Sequence, residues 1–380
     1  MQNLYLCVIP ADAGIPRHQE CKDSLRWSLP PQCSGGGASD DSDECGDTVS
    51  RERTLAFHGA GVLLRAGPKL RGGKGLLQAV VFALALVVTR PTHAQEVKGL
   101  LCGPFRLVGR FQSPEITECS GLVVSRKNPG VLWVHNDSGD VARLFAVSEN
   151  GTLWGTYRLA HADALDWEDM ALGPCADPGK QCLYVGDIGD NRSRRPEIQV
   201  YRVEEPSVPP DGRPVEVTLK GTERFECRYP DGPHDAETLL VDPDTGIPYV
   251  VTKAREGTAA GVYRFPGRPD PGKMVTLEKA ATLPALSSVT GGDVSRDGSM
   301  IFLRDYFSAY EYPRPLKAPF ERAFDASPVR IPLPVEEQGE ALGLAPSGTA
   351  VFTASEGLQG PIHKALCTKA TQPKVSSRTP

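Results

Sequence analysis

The chain lacks several features that would place it quickly. No apolar run reaches the roughly 18 residues that a spanning helix needs, which excludes a multi-span membrane protein. Charge of one sign is not in excess: 42 Lys and Arg stand against 47 Asp and Glu, a net charge of -5. That balance favours no nucleic-acid partner. There is no GxSxG and no Ser-His-Asp signature. His135, His161, His234 and His363 are too few and too scattered for a quinoprotein or a zinc hydrolase. Of these only His234, beside Asp235, lies near a residue of interest. What is plentiful is Gly (39) and Pro (34), about 19% of the chain. The usual level is about 12%, and both residues break helix interiors, which argues against a helix bundle and for a turn-rich protein. A hydrophobic fraction of 40% is enough for a core.

Residues 62–94 read as a signal peptide. Lys69, Arg71 and Lys74 form a basic region, Leu76 to Val88 is an apolar stretch too short to span a bilayer well, and Thr92-His93-Ala94 is a small-residue cleavage site. A signal peptide should begin a protein, yet 61 residues precede this one. The segment 1–61 has no strand or helix period, and its VIPADAGIP resembles translated bacterial intergenic repeats. It is read as an over-extended or disordered leader. No Met lies between Met1 and Met170, so a later start needs a non-AUG codon. The expected location is therefore exported, periplasmic or secreted, with no membrane span after cleavage.

Residues 95–367 carry a weak internal repeat. An acidic or small polar residue is followed by apolar positions at Glu118-Cys-Ser-Gly-Leu-Val-Val, Trp167-Glu-Asp-Met-Ala-Leu, Ala236-Glu-Thr-Leu-Leu-Val, Gly291-Gly-Asp-Val-Ser and Gly339-Glu-Ala-Leu-Gly-Leu. The acidic anchors Glu118, Glu168, Glu237, Asp293 and Glu340 are spaced by 50, 69, 56 and 47 residues. A second strand follows each (132–137, 183–188, 249–253, 301–306, 351–356) after a Gly-bearing turn. Third strands follow at 143–147, 198–203, 261–265, 309–312 and 361–366. Fourth strands are expected at 153–159, 215–221, 274–280 and 328–333. Four antiparallel strands at this period are one propeller blade, so the fold class is all-β, a five-bladed β-propeller. A sixth blade stays open, because the 69-residue repeat has room for more strands. The alternative is a β-sandwich. The fifth repeat lacks a fourth strand, and residues 368–380 read as a disordered tail. The strand 105–111 is expected to close the ring at the last blade, which removes an open edge.

Ten cysteines are present, four of them in the leader. The other six contain no CxxC and no zinc spacing with His, so disulfides are expected in an exported domain. Cys102 and Cys367 flank the closing pair of strands and should bond, as should Cys175 and Cys182 around a hairpin turn. Cys119 and Cys227 are left without an assignment.

The start of each inner strand and the loop between strands two and three share one face. The expected concentration there is Ser120, Glu168, Asp169, Glu237, Asp293 and Glu340, with Glu118 nearby, from the strand starts. The loops add Asn136, Asp137, Asp140, Asp187, Asp190, Asn191, Lys253, Arg255, Arg304, Asp305 and Glu356. Carboxylates crowded at one channel take up protons or hold a cation. All candidate ligands are oxygens, which suits Ca²⁺ before Mg²⁺. The two D-x-G-D loops at Asp137 and Asp187 are accounted for by turn chemistry alone. Aligned on the apolar residues, Gly292 rather than Asp293 falls on the channel position, so Asp293 is the weakest ligand of the set.

The motifs ECSGL (118–122), WEDMAL with CLYVGDIGDN (167–191), HDAETLLVD (234–242) and GEALGL (339–344) resemble the calcium-dependent apyrases. That resemblance implies a central Ca²⁺ held at Ser120, Glu168, Glu237 and Glu340, with blade four departing from the pattern. A second likeness, through HNDSGD, DWED and YVGDIGDN, is to uncharacterised secreted bacterial propeller proteins. Two functions are therefore expected in competition. One is an exported propeller with a central Ca²⁺ site that binds a small-molecule or protein ligand at the channel mouth. The alternative is a Ca²⁺-dependent phosphohydrolase acting on a nucleotide or a phytate-like phosphoester. In it Lys253, Arg255 and Arg304 would bind substrate phosphate, and Asp187 or Glu168 would act as base.

Overall fold

The computed structural model describes residues 99–369 except 211, 256 and 316. The segments read as leader, signal peptide and all but the first two residues of the tail lie outside the described residues. The described residues form five antiparallel-cored sheets. From the inside outward, blade one runs Cys119–Val124, Val131–Asn136, Arg143–Ser148 and Leu153–Leu159. Blade two runs Trp167–Pro174, Gln181–Asp187, Ile198–Glu204 and Glu223–Arg228. Blade three is Ala236–Val241, Pro248–Thr252, Ala260–Arg264 and Glu278–Leu283, and blade four is Gly291–Val294, Met300–Arg304, Ser308–Pro313 and Val329–Pro332. Blade five is Gly339–Leu344, Ala350–Ser355 and Pro361–Lys369, closed by Arg106–Arg110. Each inner strand touches the inner strand of the next blade, and the last touches the first. The ring is a five-bladed β-propeller.

Both faces of a blade pack against neighbouring blades. The inner and second strands are therefore almost wholly buried, and they read as apolar runs rather than strict alternations. Each seam between blades holds one apolar cluster. Trp133 and Tyr157 meet Trp167 and Tyr201 between blades one and two. Tyr184 and Phe225 meet Leu239 and Tyr263 at the next seam. Tyr249 and Val262 meet Ile301 and Tyr312, Phe302 meets Leu342 and Val351, and Phe352 and Ile362 meet Leu132 and Phe145. Each such side chain contributes about 1.5–3 kcal/mol on full burial.

Two expected fourth strands are corrected. Residues 215–221 do not complete blade two: Val215–Leu219 adds to the outside of blade one, parallel to Leu153–Leu159, and Glu223–Arg228 is the fourth strand of blade two. In the same way Val275–Thr276 lies parallel to Glu223–Arg228 of blade two, and Glu278–Leu283 is the fourth strand of blade three. The physical reason is common to both. The connection between third and fourth strands reaches back over the outer edge of the preceding blade, where unpaired backbone groups would otherwise face solvent. Between blades four and three a short 3-10 helix, Phe320–Asp325, does this work: Phe320 stacks on Tyr249, ring centroids 4.4 Å apart, and the Tyr249 hydroxyl donates to Glu321.

The remaining two seams have equivalents. The tight turn of blade one packs on the closing strand, where the Gln112 N–H donates to Gly151 O at 3.0 Å. Gly151 has a φ of +88°, and a Cβ there would stand 1.9 Å from Arg110 O, so both conformation and space demand glycine. Blade five reaches back to blade four through Leu100–Cys102, a further strand on Pro361–Lys369. The Leu100 N–H donates to both carboxylate oxygens of Glu311, at 2.9 and 3.1 Å. The final strand therefore runs through Thr368 and Lys369, which pair with Leu101 and Leu100.

Both expected disulfides are present. Cys102 and Cys367 are directly opposite in register, and their bond closes 265 residues; Cys175–Cys182 spans the blade-two turn. Cys119 and Cys227 are free and buried. In the chain-entropy account the first bond is worth about 5 kcal/mol. Replacing Cys102 and Cys367 together by Ser is expected to lower Tm by about 5–15 °C in non-reducing scanning calorimetry; an unchanged Tm would mean that strand pairing alone closes the ring. Burial raises the Glu311 carboxyl to about 7, against the lowering effect of the Leu100 N–H. Because the folded value lies above the unfolded one, the native state holds a proton that the unfolded chain has lost between about pH 4.5 and 7. Stability from this group is therefore present below that window and declines as pH rises through it. Glu311→Gln should flatten urea-derived stability between pH 5 and 7.5 relative to wild type, by about 1–3 kcal/mol; parallel curves would refute the assignment.

Candidate metal centre at the channel mouth

Four inner strands begin with the same irregularity. The ladder to the second strand skips one residue in blade one between Cys119 and Gly121, in blade two between Trp167 and Asp169, in blade three between Ala236 and Thr238, and in blade five between Gly339 and Ala341. The skipped residues are Ser120, Glu168, Glu237 and Glu340. A bulge leaves its extra residue unpaired and re-aims its side chain. These four thus share one structural position, as the repeat implied. Blade four pairs Gly291, Gly292 and Asp293 with Arg304, Leu303 and Phe302 without a skip. Asp293 is therefore deeper in the channel, and it accepts the N–H groups of Val294 and Leu344, each at 2.7 Å. Asp169 is a similar staple, accepting from Met170 at 2.8 Å and Leu239 at 3.0 Å.

The bulged acids do not stand alone. Carboxylate oxygens of Asp137, Asp166 and Glu168 lie within 4.8 Å of one another, and so do those of Glu168, Asp235 and Glu237. Glu168 is the shared member. Asp166 and Asp235 were missed in the sequence reading, although each lies two residues before an anchor and the acid-x-acid spacing is visible in both blades. Their backbone carbonyls also hold the loop after the second strand, from Ile188 N–H at 3.1 Å and Lys253 N–H at 3.0 Å. The Glu237 Oε1 is paired with the Lys253 ammonium, while its Oε2 is buried with no hydrogen-bond partner, as is Asp137 Oδ1. Ser120 Oγ donates to the Glu168 backbone carbonyl.

Burial and mutual repulsion disfavour charge here. Burial first, then Glu237, Asp137, Asp166 and Glu340, hold the Glu168 carboxyl well above the usual range. Burial raises Glu237 to about 8, with Lys253 opposing and Glu340 adding. Asp137 is raised to about 7 by burial and by Asp166, Glu340 and Glu118, and Glu356 to about 9 by burial and by a hydrogen bond shared with Glu340.

Other expected residues serve the frame. Asp187 is fully buried; it accepts the N–H groups of Leu165 at 3.1 Å and Asp166 at 3.2 Å, and pairs with Arg195 at 2.8 Å. Asp190 caps its own loop through the Arg194 and Arg195 N–H groups, and Asp140 is held by Asn136, Val141 and Arg143. The two D-x-G-D loops are thus offset by one residue. Asn136 and Asp187 both end their second strands, so the first Asp of one motif faces the cluster and that of the other does not. Arg304 is fully buried, donates to Ala341 O at 2.9 Å and pairs with Glu336 at 3.0 Å. Against the upward push of burial, His363, Arg304 and Thr353 hold the Glu336 carboxyl below its ordinary value. Asp305 binds the N–H groups of Phe307 and Ser308, whereas Glu118, Asn191 and Arg255 are exposed.

Gly189 sets the closeness of this packing, since a Cβ there would meet Glu168 Oε1 at 2.1 Å and Asp166 Oδ2 at 2.6 Å. Gly189→Ala is expected to destabilise by about 1–3 kcal/mol through forced displacement of Glu168. Equilibrium urea unfolding checks this, and a change within about 0.5 kcal/mol would show that the loop yields freely.

The chain matches no protein-family model, and no curated protein matches it. Among solved structures it is similar to a protein from Thermus thermophilus described as an oxidoreductase (glucose dehydrogenase), with 12% identity and a TM-score of 0.36, over 70% of this chain and 100% of that one. At that identity nothing about ligand or activity passes from that protein to this chain.

Proposed function

We propose that this is an exported binding protein whose channel mouth holds a divalent cation, Ca²⁺ before Mg²⁺, beside a ligand-binding face. The observation that carries the reading is the bare Oε2 of Glu237, buried where two carboxylate triads meet through Glu168. A buried acceptor without a partner costs about 1–3 kcal/mol, and more when charged. A hard cation satisfies it and offsets the repulsion among its neighbours. Glu168 and Glu237 would be its central ligands, with Asp137, Asp166 and Asp235 around them and Ser120 and Glu340 on the same bulge ring. The oxygen-only donors match a hard ion that takes six to eight of them. Asp293 is left out of this set because it lies deeper and is engaged by two backbone donors. Lys253 would share or yield Glu237 Oε1. Two disulfides support an oxidising compartment, in keeping with the signal-peptide reading of 62–94.

The alternative, a Ca²⁺-dependent phosphohydrolase like the apyrases, is favoured by Lys253 and Arg255 bordering one cavity. It is weakened by the commitment of Arg304 to Glu336 and of Asp187 to Arg195. In that reading the cation would supply Lewis-acid polarisation of a phosphoryl oxygen.

Calcium titration of EDTA-treated protein tests the proposal. At 100 times Kd, binding adds about 2.7 kcal/mol, or roughly 5–10 °C in Tm. Glu168→Gln should raise Tm slightly in EDTA, because one repelled carboxylate is gone, and should abolish the calcium response. Wild type indifferent to calcium, or a variant that responds like wild type, would overturn the assignment.

A further inference from the structure

A cavity of about 270 Å³ opens in blade three beside the carboxylate cluster. Its wall brings together donors from separate segments. Lys253 (whose ammonium also pairs with Glu237), Arg255 and Thr258 come from the loop between the second and third strands, and Lys279 from the outer strand. His234 comes from the segment before the inner strand and Ser193 from the neighbouring loop of blade two. Asp235 is the carboxylate on this wall, and its Oδ1 is already taken by the Asp190 N–H at 2.8 Å. From behind, Asp231 holds His234 Nε2 at 2.9 Å, accepts from the Tyr263 hydroxyl at 2.8 Å and stands 3.5 Å from the Lys279 ammonium, which lies over the Tyr263 ring. Among the described residues the exposed Arg255 guanidinium meets no partner. Among the described residues that line it, the apolar wall beyond the Tyr263 ring is Ala254 and Ala259, which offer little to hold a hydrocarbon or a base.

We infer that this cavity is a binding site for a tetrahedral oxyanion, phosphate or sulfate, carried on a small body. Cations, hydroxyls and an imidazole arriving from four segments suit an acceptor with oxygens in several directions. At about 270 Å³ the space is below the usual 300–1,000 Å³ of drug-sized sites, which suits a glycerol-sized ester better than a nucleoside. The inference rests on the ligand-binding half of the proposed function and does not require the cation.

Isothermal titration of EDTA-treated full-length protein with inorganic phosphate, and separately with sulfate, tests it. One anion per chain should bind saturably, and glycerol phosphate should match phosphate while adenosine monophosphate gains nothing over it. The better-bound anion identifies the source as a phosphoester or a sulfoester. The double variant Arg255→Ala, Lys279→Ala should weaken binding at least tenfold; should it fold poorly, Arg255→Gln alone, at an exposed position, should still weaken binding at least threefold. Absence of saturable binding for both anions, wild-type affinity in a folded variant, or tighter binding of the nucleotide would overturn the site. Calcium binding without anion binding would remove this inference alone, and anion binding in a protein that ignores calcium would remove only the cation.

Discussion

One extra residue at the head of an inner strand decides where this molecule concentrates its charge. In a regular ladder the side chains beside the channel alternate between the two faces of a blade, and an acid there would be driven into a seam filled with Trp, Tyr and Phe. The skip at Ser120, Glu168, Glu237 and Glu340 turns that residue out of the alternation while Leu122, Met170, Leu239 and Leu342 stay in the core. Blade four has no skip, and it also has no acid at that level. Its second strand ends instead in Arg304, whose guanidinium spans to blade five. The acids of the mouth thus come from blades that carry the skip, while the blade without it ends its second strand in a buried arginine.

The electrostatics follow from that geometry. Carboxyls that would be fully ionised in water are crowded in a place where water is scarce, and several are held at elevated pKa by burial first and by each other second. Elsewhere in the ring some equally buried carboxylates are fully partnered. Glu336 has Arg304, His363 and Thr353 around it, and Asp187 has Arg195 and two backbone donors. Asp169, Asp293 and Glu311 are raised by burial as well, so an elevated carboxyl does not by itself mark the mouth. The difference is that its acids face one another, with Lys253 as a counter-charge to one of them.

Much of this was legible in the chain. The shared position of Ser120, Glu168, Glu237 and Glu340, the five-blade count and both disulfide pairs followed from the repeat, because a strand start, a hairpin turn and a ring closure each place particular residues side by side; Glu118 and Asp293 do not share that position. The outer strands of blades two and three were misread for a definable reason. The second repeat carries two outer strands, Val215–Leu219 and Glu223–Arg228, and nothing in a local pattern tells which blade an outer segment will join. Arg304 looked like a rim cation because its partner Glu336 is 32 residues away and on another blade's approach. Asp166 and Asp235 stand two residues before Glu168 and Glu237, and only that acid-x-acid spacing marks them in the chain.

The back-reaching connections have a consequence for how such a molecule can change. Val215–Leu219 is encoded within the second repeat but is bonded into blade one, and Val275–Thr276 is encoded within the third but bonded into blade two. The unit of inheritance and the unit of architecture are out of phase by one strand. A gene segment cut at the visible blade boundaries would carry away its neighbour's hem, so duplication or loss of a blade in this ring has to respect seams that the sheets themselves do not show.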